Sequence, residues 1–131
     1  MSESFVLPFA VLVFALSGSA SAQERAGSSL EQVGFHELSD GRNTAAIRQI
    51  EGNATLAPDD PARNINLAIA YARTGHDEKA RTHFLAALAS EERVSLQTST
   101  GKWVDSRELA RQGLRKLDSG IFTQDRFAGR R

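Results

Sequence analysis

Apolar and polar positions along the chain follow two periods. From Asn64 to Leu88, "NINLAIAYARTGHDEKARTHFLAAL", apolar residues recur at helical spacing, with one glycine near the middle. Leu67, Ala68 and Tyr71 fall on one stripe of a first helix. Gly75 stops that helix, because glycine enters the left-handed cap conformation at little cost. Asp77 and Glu78 open a second helix, where acidic side chains suit the dipole. Ala80, Phe84, Ala87 and Leu88 form its inward stripe, with Ala80 small enough for close backbone approach and Tyr71 and Phe84 filling the space between layers. Further on, Val94, Leu96 and Thr98 alternate with polar residues, Thr100-Gly101 signals a turn, and Lys102-Trp103-Val104 resumes β-prone residues. This predicts a short hairpin over residues 94–104, the alternative being an extended loop. Asp105 and Glu108 then form a D-x-x-E arrangement close to a capping box, and Leu109, Ala110, Leu114 and Leu117 make one helical stripe over residues 106–117 that Ser119-Gly120 stops. Trp103 is expected in the core beneath this helix, with an exposed ligand platform as the alternative.

An internal period accompanies the pattern. At an offset of 34 residues Gly41 pairs with Gly75, Ala46 with Ala80, Ile50 with Phe84, Gly34 with Ala68, and Val33 with Leu67. The segments "NLAIAYARTG" (Asn66 to Gly75) and "KARTHFLAAL" (Lys79 to Leu88) carry the spacing of Leu, small, Tyr, Gly, Ala, aromatic and Ala. On these residues the chain resembles the tetratricopeptide repeat family. The resemblance covers about residues 28 to 92 and implies a mainly α fold, an array of helix-turn-helix units (an α-α superhelix). The repeats fall at about 27–60 and 61–94, with the hairpin and a C-terminal capping helix closing the array. In the first repeat the helix "SLEQVGFHEL" (Ser29 to Leu38) contains Gly34, and Asn53 stands where a small residue is usual. Asn64 departs from the family, where a large apolar residue is common.

The ends differ from the middle. "FVLPFAVLVFAL" (Phe5 to Leu16) is uncharged, and Ala20-Ser21-Ala22 follows as a cleavage pattern, so residues 1–22 read as a signal peptide cut after Ala22. The n-region departs from that reading, having Glu3 and no basic residue, while the apolar run falls short of the roughly 20 residues that span a bilayer. A periplasmic or secreted protein follows. Its removal takes away one acid and no base from a chain of 16 basic and 16 acidic residues, leaving a net charge of +1. That balance points to neither nucleic acid nor a membrane surface as partner. Residues 121–131, with Ile121, Phe122 and Phe127, are basic and without clear period; they read as a disordered tail, a docking motif, or a segment folded back on the domain. The absence of cysteine excludes disulfides, thiolate metal sites and a cysteine nucleophile.

Chemistry-bearing patterns are few. The histidines are His36, His76 and His83, and the last two, separated by a helix start, need not share a face. H-E-x-x-H, G-x-S-x-G and paired-carboxylate patterns are missing, and "STGK" lacks the phosphate-loop spacing. Asp59 and Asp60, between Pro58 and Pro61, read as an inter-repeat turn with helix N-capping. Asn53-Ala54-Thr55 is a glycosylation sequon, relevant only in a eukaryotic secretory pathway. The expectation is a protein that is not an enzyme and has neither cofactor nor metal. The family resemblance implies a protein or peptide partner held on the concave face of the first helices. Ile65, Asn66, Ile69 and Arg73 project from the first helix of the better repeat, away from Leu67 and Tyr71, and are the candidate binding residues. Glu31 and Phe35 stand where the family's carboxylate-clamp variant wants Lys and Asn, which argues against capture of a free C-terminus. The alternative reading is a structural or assembly component that forms a homo-oligomer or stacks on another helical-repeat protein.

Overall fold

The computed structural model describes residues 34–98 and 100–128. The signal-peptide segment and the start of the helix expected over Ser29 to Leu38 lie outside the described residues. Among those described, six helices and one two-stranded antiparallel sheet follow in the order α1 (Phe35–Ser39), α2 (Asn43–Glu51), α3 (Pro61–Arg73), α4 (Asp77–Ala89), β1 (Ser95–Gln97), β2 (Trp103–Asp105), α5 (Ser106–Asp118) and α6 (Ile121–Ala128). The protein is mainly helical.

The helices come as three hairpins, α1–α2, α3–α4 and α5–α6, and each turns at a glycine. At the middle one Gly75 has φ 88°, a region open to glycine at little cost. Its N–H donates to Ala72 O at 3.3 Å and the N–H of His76 to Tyr71 O at 2.9 Å, which satisfies two of the last carbonyls of α3. The first hairpin repeats this geometry, with Gly41 N–H on Leu38 O at 3.1 Å and Arg42 N–H on Glu37 O at 2.7 Å. Gly120 closes α5 with φ 71° and an N–H on Leu117 O at 3.2 Å. In this third hairpin residues 121–128 form a helix folded back on the domain, one of the alternatives open for the segment, and not a disordered tail. Phe122 is buried in the main core, and Arg126 donates from Nη1 to Ala72 O at 3.2 Å and lies 3.6 Å from Asp77. The last helix is therefore pinned to the turn of the middle hairpin.

Helix α3 is central and packs against every other described helix. Small residues permit this: Ala68 and Ala72 are fully buried on one side, in the main core, and Ala70 on another, against Leu38 and Ala46. Its start is set locally. Asp60 Oδ1 accepts from Arg63 N–H at 2.7 Å, and Pro61 occupies the first turn, where its missing N–H costs nothing. Asn64, 1% exposed, donates from Nδ2 to Pro58 O at 2.8 Å and to Asp60 O at 3.1 Å, tying the inter-hairpin loop to the helix. A polar residue thus fills the place where an apolar one was expected, because a loop carbonyl needs a donor there.

The main core joins Ile50, Leu67, Ala68, Tyr71, Ala80, Phe84, Leu117 and Phe122. Phe84 is 1% exposed and meets α5 at Gly113, where a Cβ would come within 2.2 Å of the ring. A second core places Ile65 with Ala87 and Ala110. The hairpin pairs Leu96 with Val104 and Gln97 with Trp103. Asp105 caps α5 through Oδ1, accepting from Arg107 N–H at 3.0 Å and Glu108 N–H at 3.4 Å. The capping box is not completed: Glu108 instead accepts from Gln112 at 3.1 Å and from Arg115 at 3.2 Å.

Two expectations fail. Trp103 is 67% exposed rather than core. Alternation along β2 puts Val104 on the inward side and leaves Trp103 outward, while Leu96 and Leu109 already fill the space beside Ala110. The helix expected through Gly34 also fails, because Gly34 has φ 67° and stands at the N-cap of α1.

Candidate functional site

A concave cavity of about 590 Å³ opens on one side of the molecule. The first helix of each pair faces it, and Phe84 of α4 and Phe122 of α6 also reach its lining. Helix α1 gives Phe35, Leu38 and Ser39; α3 gives Ile65, Asn66, Ile69 and Arg73; α5 gives Leu109, Gln112, Gly113 and Lys116. The hairpin closes one flank with Leu96, Gln97, Thr98, Thr100, Lys102 and Val104. The four residues singled out on α3 are all brought to this cavity, but not on equal terms. Ile65 is 3% exposed and is engaged by Ala87 and Ala110, since α5 packs on both α3 and α4. It is floor rather than contact surface. Ile69 is half-buried and touches all three apolar clusters. Arg73 was expected to project freely. Instead its Nη1 donates to Leu38 O at 2.9 Å and, more weakly, to Asn43 Oδ1 at 3.4 Å, bracing α1 against α3. The residue as a whole is exposed, but partial burial lowers its pKa, opposed by the charge of Asp125. An arginine stays charged nonetheless.

The hairpin and α5 residues were not singled out in the sequence. Their signal was present: Leu109, Gln112, Gly113 and Lys116 share one face at i, i+3, i+4 and i+7. It was masked because the apolar stripe of Leu109, Ala110, Leu114 and Leu117 was the stronger pattern.

The lining is electrostatically one-sided. Among the described residues it contains three cations, Arg73, Lys102 and Lys116, and no carboxylate. The amide residues Asn66, Gln97 and Gln112 also belong to the lining. Elsewhere arginines pair with acids, as in Arg81–Asp118 at 2.7 Å and Arg93–Asp105 at 3.0 Å. Neither Lys102 nor Lys116 has an ion pair among the described residues.

A second polar cluster lies around Tyr71. His83 stacks on the Tyr71 ring at 5.6 Å between centroids and an interplanar angle of 7°, while His76 meets it edge-on at 5.8 Å. The two histidines thus converge on one ring. His83 Nδ1 lies 2.9 Å from Asn64 Oδ1, and Lys79 Nζ sits 5.0 Å above the Tyr71 ring. The Tyr71 hydroxyl donates to Glu51 Oε1. Burial, reinforced by that bond and the Glu51 charge, pushes the phenol up to about 12. Burial also lowers the His83 pKa, aided by Arg63 and Lys79 and opposed by Glu51. His36 is exposed, with its ring 5.9 Å from that of Phe35.

Among the described residues no group of three or more His, Cys, Asp or Glu side chains could hold a metal ion. No described helix is long and apolar enough to cross a membrane. Comparison with family models, curated proteins and solved structures returned no match.

Proposed function

We propose that this chain is a non-catalytic binding module of the tetratricopeptide type, exported after cleavage behind Ala22, that holds an extended segment of a partner protein on its concave face. The observation that carries this reading is the convergence of α1, α3 and α5, the first helices of three successive pairs, on one cavity that includes Asn66, Ile69 and Arg73. The 34-residue offset between Gly41 and Gly75 and the left-handed glycine in each turn support the repeat assignment. A pull-down from a cell-envelope extract tests it, with the Asn66→Ala, Arg73→Ala double variant as control. Partners recovered by the unaltered chain should be lost with the variant. Equal recovery would move the interface off this face. Mass spectrometry of natively expressed protein should find Gln23, or its cyclised form, at the N-terminus; an intact Met1 in the soluble cytoplasm would defeat the export reading.

A second reading is assembly with another copy or another helical-repeat protein, for which the exposed apolar side chains of Trp103, Phe127 and Leu85, at 67%, 65% and 49% on the hairpin, α6 and α4, are available contacts. Sedimentation separates the two: a monomer at high concentration favours hetero-binding, and a concentration-dependent oligomer favours assembly.

A further inference from the structure

We infer that the occupant of the concave cavity is an acidic segment, extended, internal to its chain, with carboxylates on either side of an apolar residue. The inference rests on the peptide-binding reading and adds the chemistry of the ligand. Its basis is charge complementarity. A chain with equal numbers of acidic and basic residues lines this cavity with Arg73, Lys102 and Lys116 and, among the described residues, with no acid.

The cations differ in what they have left to offer. Arg73 has Nη1 committed to Leu38 O. Lys102 and Lys116 are exposed, carry no ion pair among the described residues, and stand on different elements, the hairpin turn and the last turns of α5. They are therefore the two carboxylate contacts. Beside them the lining is apolar at Leu96, Val104 and Leu109, with amides at Asn66 and at Gln112, whose Nε2 donates to Glu108 Oε1 at 3.1 Å. Amides suit the N–H and C=O groups of an extended backbone, which expose one of each per residue. Three helices packed 8–10 Å apart offer a span of roughly 20 Å, enough for about six extended residues. A single terminal carboxylate would answer only one of the lysines, so an internal acidic stretch fits better than a free C-terminus.

The test is to pan the chain against a random library of peptides about ten residues long and measure the enriched sequences by titration. Acidic sequences with an apolar residue between carboxylates should emerge. The Lys102→Glu, Lys116→Glu variant should bind them on the order of tenfold more weakly, and affinity should fall as salt rises. Both lysines are exposed, so this variant should retain the thermal midpoint. Enrichment of neutral or basic peptides, or unchanged affinity after charge reversal, overturns the inference. An acidic oligonucleotide that displaces the peptide as well as the peptide itself does so too, since contacts then read charge alone. Gln112→Trp and Thr98→Trp, which fill the cavity from opposite walls, separate this failure from that of the peptide-binding reading. If enriched peptides are blocked by these variants but are not acidic, only the inference falls. If peptides bind as well with the cavity filled, or none is enriched, both fall.

Discussion

Gly113 is where α5 can approach α4 only because a side chain is missing. A Cβ built there would lie 2.2, 2.3 and 2.7 Å from three atoms of the Phe84 ring. The ring cannot withdraw easily, being 1% exposed and enclosed in the main core with Ala68, Ala80 and Leu117. Gly113→Ala therefore forces either the ring off its rotamer or α5 outward. Overpacking of this kind costs about 1–3 kcal/mol, and three contacts inside the van der Waals limit argue for the upper end. The substitution also gains about 1 kcal/mol of helix propensity. The net expectation is a loss of about 2 kcal/mol, or a fall in Tm of roughly 8–16 °C for a domain of this size. Urea denaturation of the chain measures it. The same substitution in a Phe84→Leu background should lose most of its penalty, since the clash partner is smaller, and the double-mutant cycle should show a clear positive coupling. A neutral or stabilising Gly113→Ala, or an additive cycle, would refute the close contact between these helices.

Other expectations follow from the same contacts. Phe84→Ala should cost on the order of 3–5 kcal/mol in the urea experiment, as a fully buried aromatic truncation. Asn64→Leu should destabilise by about 1–3 kcal/mol, because Pro58 O loses its donor in a buried setting; restored stability would show the loop to be held otherwise. Arg73→Ala should cost about 1 kcal/mol through the bond to Leu38 O, so it is not the neutral surface change that its position on α3 suggests. His83 has its pKa lowered by folding, so the unfolded chain binds its proton first as pH falls. Stability should drop between about pH 6.5 and the lower folded value, and thermal scans of His83→Gln should show a flatter profile across that window.

What could be read from the residues alone was the part governed by local rules. Gly75, Asp60 and Asp105 act at fixed offsets from helix ends, and each does in the structure what its type and position dictate. The hairpin likewise follows from alternation around Thr100-Gly101. Apart from the local break at Gly34, the failures concern where a side chain lies relative to a distant element. Trp103 looked like core because it is large and apolar, yet β alternation gave the inward place to Val104. The residues after Gly120 looked aperiodic over so short a run, but Phe122 and Arg126, at i and i+4, find their partners on α3 and at its turn. Ile65 looked free because the helix that buries it comes about forty residues later. For the cavity the same division holds: the α3 residues were legible as a face, while Lys102 and Lys116 acquire their meaning only when hairpin and α5 meet.

The third helix pair explains how a short array can be stable and still keep a concave face. Two helix pairs leave an apolar surface that needs a neighbour. Here α5 and α6 supply it, with Leu117 and Phe122 entering the core built by α2, α3 and α4. The β1–β2 insertion between α4 and α5 then has no duty in that core, since its outward residue Trp103 is exposed and its inward residues Leu96 and Val104 turn toward the cavity. Freed from the stack, it raises a flank beside the first helices and carries Lys102 to the rim. Polar groups are tolerable there because the cavity is open to water, whereas the same lysine among Phe84 and Leu117 would meet a desolvation cost with nothing to offset it. The division of labour is thus physical: the second helices α2, α4 and α6 supply much of the core, while the first helices and the hairpin carry most of the cavity lining, together with Phe84 and Phe122.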